Sequence, residues 1–180
     1  MECRKHMKIG VMCSGNGTNF ENIVNNCPDH QVEVMIHNIK DCGAVERAKR
    51  LGIPYARCKS TEEDKIISIL KRYKVDLVVL AGWMRILKPK VISSFKNIIN
   101  IHPSLLPKYK GLNAIQQALE SGDKITGCTV HYVTEELDSG TIIEQSVVPI
   151  CPKDTIETLT NRVQQAEHRL FPLVINSLTL

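Results

Sequence analysis

The spacing of apolar residues changes character several times along the chain. Lys8 to Cys13 is a short run rich in Ile, Val and Met, Gln31 to Asn38 alternates Val32, Val34 and Ile36 with polar partners, and Tyr55 to Cys58 is a third short run. Val75 to Ala81 is almost wholly apolar. Alternation marks a strand with one covered face, and a continuous apolar run marks a strand buried on both faces at the centre of a parallel sheet. Between these runs the period lengthens. A helix is predicted from Phe20, and a second over Ala44 to Leu51 with Gly52 as its stop and Pro54 beyond. A third is opened by Thr61-Glu62-Glu63-Asp64 and closed by Lys71 to Lys74, and turns Ile66, Ile67, Ile69 and Leu70 inward. Val91 to Phe95 reads as a short helix, Asn97 to Ile101 as a strand, and Asn113 to Ser121 as a helix closed by Gly122. Ile125 to Thr134 and Thr141 to Val148 are two strands with one turn between them, hence an antiparallel addition at the sheet edge. The last helix is predicted over Asp154 to Leu170, with Ile156, Leu159, Val163, Ala166 and Leu170 as one buried stripe and Pro172 kinking or ending it. Strand and helix alternate throughout, which predicts an α/β domain built on a single doubly wound, mostly parallel sheet with an antiparallel edge and a long C-terminal helix.

Composition narrows the class without changing that picture. The chain has 180 residues, 43% of them apolar and 23% charged, values of a single globular domain rather than a disordered chain. Residues 1–7 are expected to be a flexible N-terminal extension and residues 8–180 the domain. The net charge of +4 comes from cations interspersed with acids. It suits anionic small molecules and gives no indication of nucleic acid. Seven cysteines, none in a C-x-x-C pair, point to neither a disulfide framework nor a zinc site, so a reduced cytoplasm is expected. No segment approaches the roughly 20 apolar residues of a membrane helix, and the apolar run Ile9 to Cys13 is too short for a signal peptide.

Candidate chemistry gathers between Ile98 and Asp138. Asn100 and His102 alternate at the end of an apolar run, so in a strand both side chains leave the same face. Pro103 keeps His102 out of the helical region, and Pro107 and Gly111 hold the following segment as a loop. Asp138 stands just before the turn Ser139-Gly140. An amide and an imidazolium together stabilise an oxyanion, and a neighbouring carboxylate favours the charged imidazole. Each residue alone also fits a plain role as a strand-end Asn, a surface His or a turn Asp. His131, inside a strand with no evident partner, is read as structural.

Ser14-Gly15-Asn16-Gly17-Thr18-Asn19 joins the first strand to the first helix, an arrangement in which free N–H groups and the helix dipole hold a phosphate. Phe20 stands where a dinucleotide fingerprint needs its third Gly, so one phosphate is favoured over two, with an ordinary strand-to-helix turn as the alternative. Gly82 to Leu87 follows the most apolar strand at its carboxyl end, where open α/β sheets bind ligands, although Trp83 and Met84 also suit a core. Gln164 and Glu167, three apart on the last helix, can reach one polar ligand together or simply be surface residues.

The stretch Asn100-Ile101-His102-Pro103-Ser104-Leu105-Leu106-Pro107, with the Gly127 to Gly140 block, resembles the folate-dependent formyltransferases, and the resemblance runs over about residues 8–173. It implies a Rossmann-like formyltransferase fold with Asn100, His102 and Asp138 as the catalytic trio. It implies that Gly17, Thr18 and Asn19 hold the phosphate of a ribonucleotide, and that Gln164 and Glu167 hold its glycinamide end and ribose. Pro103 is counted with these substrate-binding residues. Met84, Arg85, Ile86 and Leu87 are placed against the folate together with Asn100, with Lys59 as the nearest counterpart of a folate-contacting Arg. The expected reaction is formyl transfer from 10-formyltetrahydrofolate, the co-substrate, to the amine of glycinamide ribonucleotide in purine biosynthesis. No metal is required, the partners are these two small molecules without nucleic acid or membrane, and the chain is expected to act as a monomer or homodimer. Two rivals in the family, a methionyl-tRNA formyltransferase and a formyltetrahydrofolate hydrolase, are expected to carry an additional domain. A third reading, from another class, is a nonenzymatic nucleotide-binding module, which would have no reason to place Asn100, His102 and Asp138 together.

Overall fold

A computed structural model describes residues 6–179. Its centre is a seven-stranded sheet in the order β3-β2-β1-β4-β5-β6-β7, with β1 Lys8–Cys13, β2 Gln31–His37, β3 Tyr55–Arg57, β4 Leu77–Leu80, β5 Ile98–His102, β6 Ile125–Tyr132 and β7 Ile142–Pro149. The first five strands pair parallel, whereas β6 and β7 pair antiparallel, which is the edge the sequence predicts. β4 is buried at every position, as the unbroken apolar run requires of a strand covered on both faces.

The helices divide between the two faces. α1 Thr18–Asn26, α2 Ala44–Leu51, α5 Ala114–Glu120 and the long α6 Ile156–Ser177 cover one face, where Phe20, Ile23, Leu159, Val163 and Phe171 pack on Ile9, Val11 and Val79. α3 Glu63–Arg72 and α4 Pro89–Ser94 cover the other, with Ile66, Leu70 and Val91 on Met12, Ile36 and Val78. Burying a side chain of this size contributes about 2 kcal/mol, so the two layers hold the sheet from both sides. Predicted ends shift by a residue or two. Met7 is buried in the first of these layers and its carbonyl accepts from Gln31 N–H at 2.9 Å, while residues 1–5 of the expected extension lie outside the described residues.

Two predicted details are corrected. α6 does not end at Pro172 but runs on to Ser177. A proline in a helix leaves the carbonyl four residues earlier without a donor; here that carbonyl, of His168, accepts from Asn22 Nδ2 on α1 at 2.7 Å. Tertiary structure supplies the bond that Pro172 withholds. Ile156, the first residue of the predicted stripe, is 42% exposed because the helix reaches the core only from Leu159 onward. The helix start is set instead by a capping box in which Thr155 and Thr158 exchange side-chain to backbone bonds.

Candidate active site

The carboxyl end of β5 carries the first two polar groups. Leu80 of β4 lies opposite Asn100, and on the other side His131 of β6 is its antiparallel partner, with Thr129 opposite His102. A spacing of two therefore puts Asn100 and His102 on one face, as the sequence predicts, and the register of β6 adds His131 beside them. Asp138 comes from the loop between β6 and β7, at φ 48°, with its side chain only 8% exposed.

Hydrogen bonds fix what each group can do. His131 Nδ1 lies 2.9 Å from its neighbour Tyr132's carbonyl and must donate to it. Its Nε2 is then a lone pair that accepts from Asn100 Nδ2 at 3.1 Å. That bond orients the Asn100 amide and leaves the second Nδ2 hydrogen free. Burial pushes the His131 imidazole below its ordinary range, outweighing the bond to Tyr132 and the charge of Asp138. His102 Nε2 donates to Tyr109 O at 2.8 Å, so its Nδ1 edge faces Asp138 Oδ2 at 3.4 Å. A separation of 3.4 Å is a charge contact rather than a short hydrogen bond, which leaves the Nδ1 edge able to meet a third atom. Asp138 Oδ2 also accepts from Gly111 N–H at 2.8 Å, and Oδ1 lies 3.7 Å from His131 Nε2.

Buried hydroxyls shape the loop after His102. Thr129 Oγ1 donates to Ser104 O at 2.7 Å and accepts from Leu106 N–H at 3.1 Å and from Gln145 Nε2 at 2.9 Å. Ser104 Oγ donates to Lys108 O at 2.5 Å. These bonds hold the Tyr109 carbonyl against His102, so the imidazole is positioned by the loop as well as by its strand.

An open cleft of about 460 Å³ lies beside this cluster. Trp83, Arg85, Ile86 and Leu87 form one side, Asn100 and His131 its floor, and Val133 to Asp138 the other side. Arg85, Ile86 and Leu87, three of the residues expected against the folate, line this cleft. Met84 is 59% exposed and outside that lining; its N–H instead donates to Ser14 Oγ at 2.8 Å, tying the segment to β1. Lys59 is also away from the cleft, in the turn after β3, where its N–H donates to Glu62 Oε2 at 2.6 Å. Pro103 is half-buried directly after His102.

The Gly-rich turn lies at the N-terminus of α1. Gly17 has φ 73°, and a Cβ there would fall 2.6 Å from Ala44 Cβ, so conformation and packing both demand glycine. Thr18 and Asn19 open the helix, where the first N–H groups lack intrahelical partners. Asn19 Nδ2 donates to Glu167 Oε2 at 3.0 Å across to α6. Burial raises the Glu167 carboxyl to about 7, with the Asn19 bond opposing only part of the shift. Gln164, three residues earlier, is exposed and makes no bond to the turn. The structure thus joins Glu167 to the Gly17 turn and leaves Gln164 at the helix surface.

His131 departs from the sequence reading, which found no partner for it. Its partners come from β5 and from the loop before β7, and only the strand register brings them together.

A doubly wound sheet with a polar cluster and an open cleft at the end of β5, and a Gly-rich turn at the end of β1, is the architecture of an α/β enzyme. Comparison with known proteins makes this specific: the formyl transferase family profile matches residues 7–175, and the chain belongs to that family. It is 43% identical to the phosphoribosylglycinamide formyltransferase of Haemophilus influenzae, over 96% of this chain and 87% of that one. It is 40% identical to the chicken trifunctional purine biosynthetic protein adenosine-3, over 94% of this chain but 18% of that larger protein. The crystal structure of phosphoribosylglycinamide formyltransferase from Anaplasma phagocytophilum superposes with a TM-score of 0.92 at 41% identity, covering 96% of this chain and 86% of that one.

Proposed function

We propose that this enzyme transfers the formyl group of 10-formyltetrahydrofolate to the amine of glycinamide ribonucleotide, giving formylglycinamide ribonucleotide and tetrahydrofolate in purine biosynthesis. The reaction follows from the family and the named relatives. The observation that carries the residue roles is the cluster of Asn100, His131 and Asp138 lining the cleft, with His102 against Asp138 behind them.

The amine nitrogen attacks the formyl carbon and the C=O electron pair moves onto oxygen. The free Nδ2–H of Asn100 and the Nδ1 edge of His102 are the donors available to that oxyanion. One such donor contributes about 3 kcal/mol, roughly 100-fold in rate or more. Asp138 faces the Nδ1 edge of the imidazole at 3.4 Å, a carboxylate beside the positive charge the ring carries while it moves a proton. As the intermediate collapses, the bond from the formyl carbon to the folate nitrogen breaks; that nitrogen gains a proton and the attacking amine loses one, a relay for which His102 and Asp138 are placed. Arg85, Ile86, Leu87 and Asn100 contact the folate, while Gly17, Thr18, Asn19, Pro103 and Glu167 hold the ribonucleotide. Holding both substrates together supplies much of the remaining acceleration. Among the described residues no helix is long and apolar enough to cross a membrane. We place the enzyme's action in the cytoplasm, as monomer or homodimer; the free thiols of Cys13, Cys27, Cys42, Cys58, Cys128 and Cys151 fit a reducing compartment.

The direct test is loss of 10-formyltetrahydrofolate followed by absorbance, with and without glycinamide ribonucleotide. Consumption that requires the amine is expected; consumption without it would identify a hydrolase and remove this reading.

A further inference from the structure

Arg47 lies on α2, behind the Gly-rich turn and outside the cleft, and none of the chemistry above uses it. Its Nε donates to the Asn16 carbonyl at 2.7 Å. The Gly15 carbonyl is held from the same side, by Ala44 N–H at 3.2 Å and Cys42 Sγ at 3.0 Å. In a planar trans peptide the carbonyl and the following N–H point in opposite directions. Holding the carbonyls of residues 15 and 16 toward α2 therefore sends the N–H groups of Asn16 and Gly17 the other way, away from α2. With a glycine on each side of Asn16, the turn has little stiffness of its own, so these outside bonds decide where its donors point. The guanidinium of Arg47 is itself held: it pairs with Glu21 on α1, and Glu21 pairs with Arg50 as well, at 2.5 Å. The Arg47 side chain is 30% exposed and that of Arg50 61%.

We propose that Arg47 is a positioning residue that sets the anion-binding conformation of the Gly15 to Asn19 turn, and thereby the affinity for the phosphate of the ribonucleotide. The proposal rests on the reading of that turn as the phosphate site. Arg47 acts through the Asn16 carbonyl, with Glu21 as its anchor.

The experiment is steady-state kinetics of Arg47→Gln and Arg50→Gln with two acceptors, glycinamide ribonucleotide and its nucleoside without the phosphate. Arg47→Gln is expected to raise KM for the ribonucleotide about tenfold while kcat and the folate KM stay within twofold. Its kcat/KM for the nucleoside is expected to match that of the unsubstituted enzyme. Arg50→Gln, which removes an equal charge from the same carboxylate without touching Asn16, is expected to leave the ribonucleotide KM unchanged. Equal rises from the two variants would assign the effect to charge alone and overturn the proposal. A rise for both acceptors, or a fall in kcat alone, would place Arg47 in the general fold or the chemistry, and no change at all would overturn it too. If Arg47→Gln does not fold, Arg47→Lys serves, because one ammonium cannot hold both Glu21 and the Asn16 carbonyl; the same rise in KM is expected and its absence overturns the proposal. If the unsubstituted enzyme treats the two acceptors alike, the phosphate reading of the turn fails first, a result that needs no variant.

Discussion

At the level of single residues, Asn100 matters for one free hydrogen whose direction His131 controls. Removing the amide in Asn100→Ala is expected to lower kcat by about 100-fold or more, the effect of one oxyanion donor. Its stability should fall by no more than about 1–2 kcal/mol, the cost of leaving His131 Nε2 without its donor, since the amide is half-buried and adds little to the core. A steady-state assay beside a thermal melt separates the two. His131 carries a pH dependence. While neutral it accepts from Asn100 through Nε2; once protonated it has a hydrogen there and repels that donor. Asp138 and His102 also face it; burial, with His102 acting in the same direction, outweighs the Tyr132 bond and the charge of Asp138 and keeps it neutral. Turnover is therefore expected to fall as pH drops below the ordinary imidazole range, and His131→Gln, which keeps an acceptor that does not titrate, should lose that limb. The pH profile of kcat/KM in both proteins is the measurement. Strand period, a local signal, put Asn100 and His102 on one face, and the resemblance to the formyltransferases joined the turn residue Asp138 to them. His131 escaped it because its partners depend on how β5 and β6 align, and no local pattern encodes that register.

At the level of elements, α6 shows how tertiary bonds override local rules. Pro172 reads as a break, and it is one in an isolated helix, but Asn22 fills the vacancy it leaves at the His168 carbonyl. Asn22→Ala is expected to destabilise the protein by about 1–2 kcal/mol by stranding that carbonyl, and urea titration should show the loss. The consequence reaches the site, because α6 past its midpoint carries Glu167 to Asn19 and packs Phe171 and Val174 under α1. The strands and most helices were legible in the sequence because their signals are periodic: the unbroken Val75 to Ala81 run, the alternation from Val32, the Gly52 stop. What was not legible is of another kind. Met84 looks like its cleft-lining neighbours in sequence, yet its N–H is spent on Ser14 and its side chain faces solvent. Gln164 and Glu167 share helical spacing, but only Glu167 meets the turn, since which face of α6 lies on α1 is decided by packing.

At the level of the whole molecule, the same burial that prepares the site makes stability depend on pH, in two opposing directions. Glu167 in the folded protein keeps its proton up to about 7, against 4.5 for the ordinary carboxyl. Between those values the folded state binds the extra proton, so stability falls as pH rises through the window and is level outside it. A difference of about 2.5 pH units corresponds to roughly 3 kcal/mol, undiminished by solvent because the side chain is buried. His131 and His168 have the opposite sign. Both are held below the ordinary 6.5, chiefly by burial, so in the window below it the unfolded chain binds the extra protons and stability rises with pH. The two trends oppose each other below 6.5; above it Glu167 titrates up to about 7, while the Cys42 thiol, lowered to about 6 chiefly by its bond to Cys13, works against the Glu167 trend. Glu167→Gln is therefore expected to remove one fall in stability, the one between 4.5 and about 7, and to leave the other trends in place, so that the unsubstituted protein loses stability relative to the variant across that window and no further above it. Urea unfolding at closely spaced pH values in both proteins measures it. A ribonucleotide bound against Glu167 gains from the charged carboxylate as a stronger acceptor for its hydroxyls, so the proton that burial adds is one that binding removes, and the KM for the ribonucleotide is expected to fall with rising pH over the same interval.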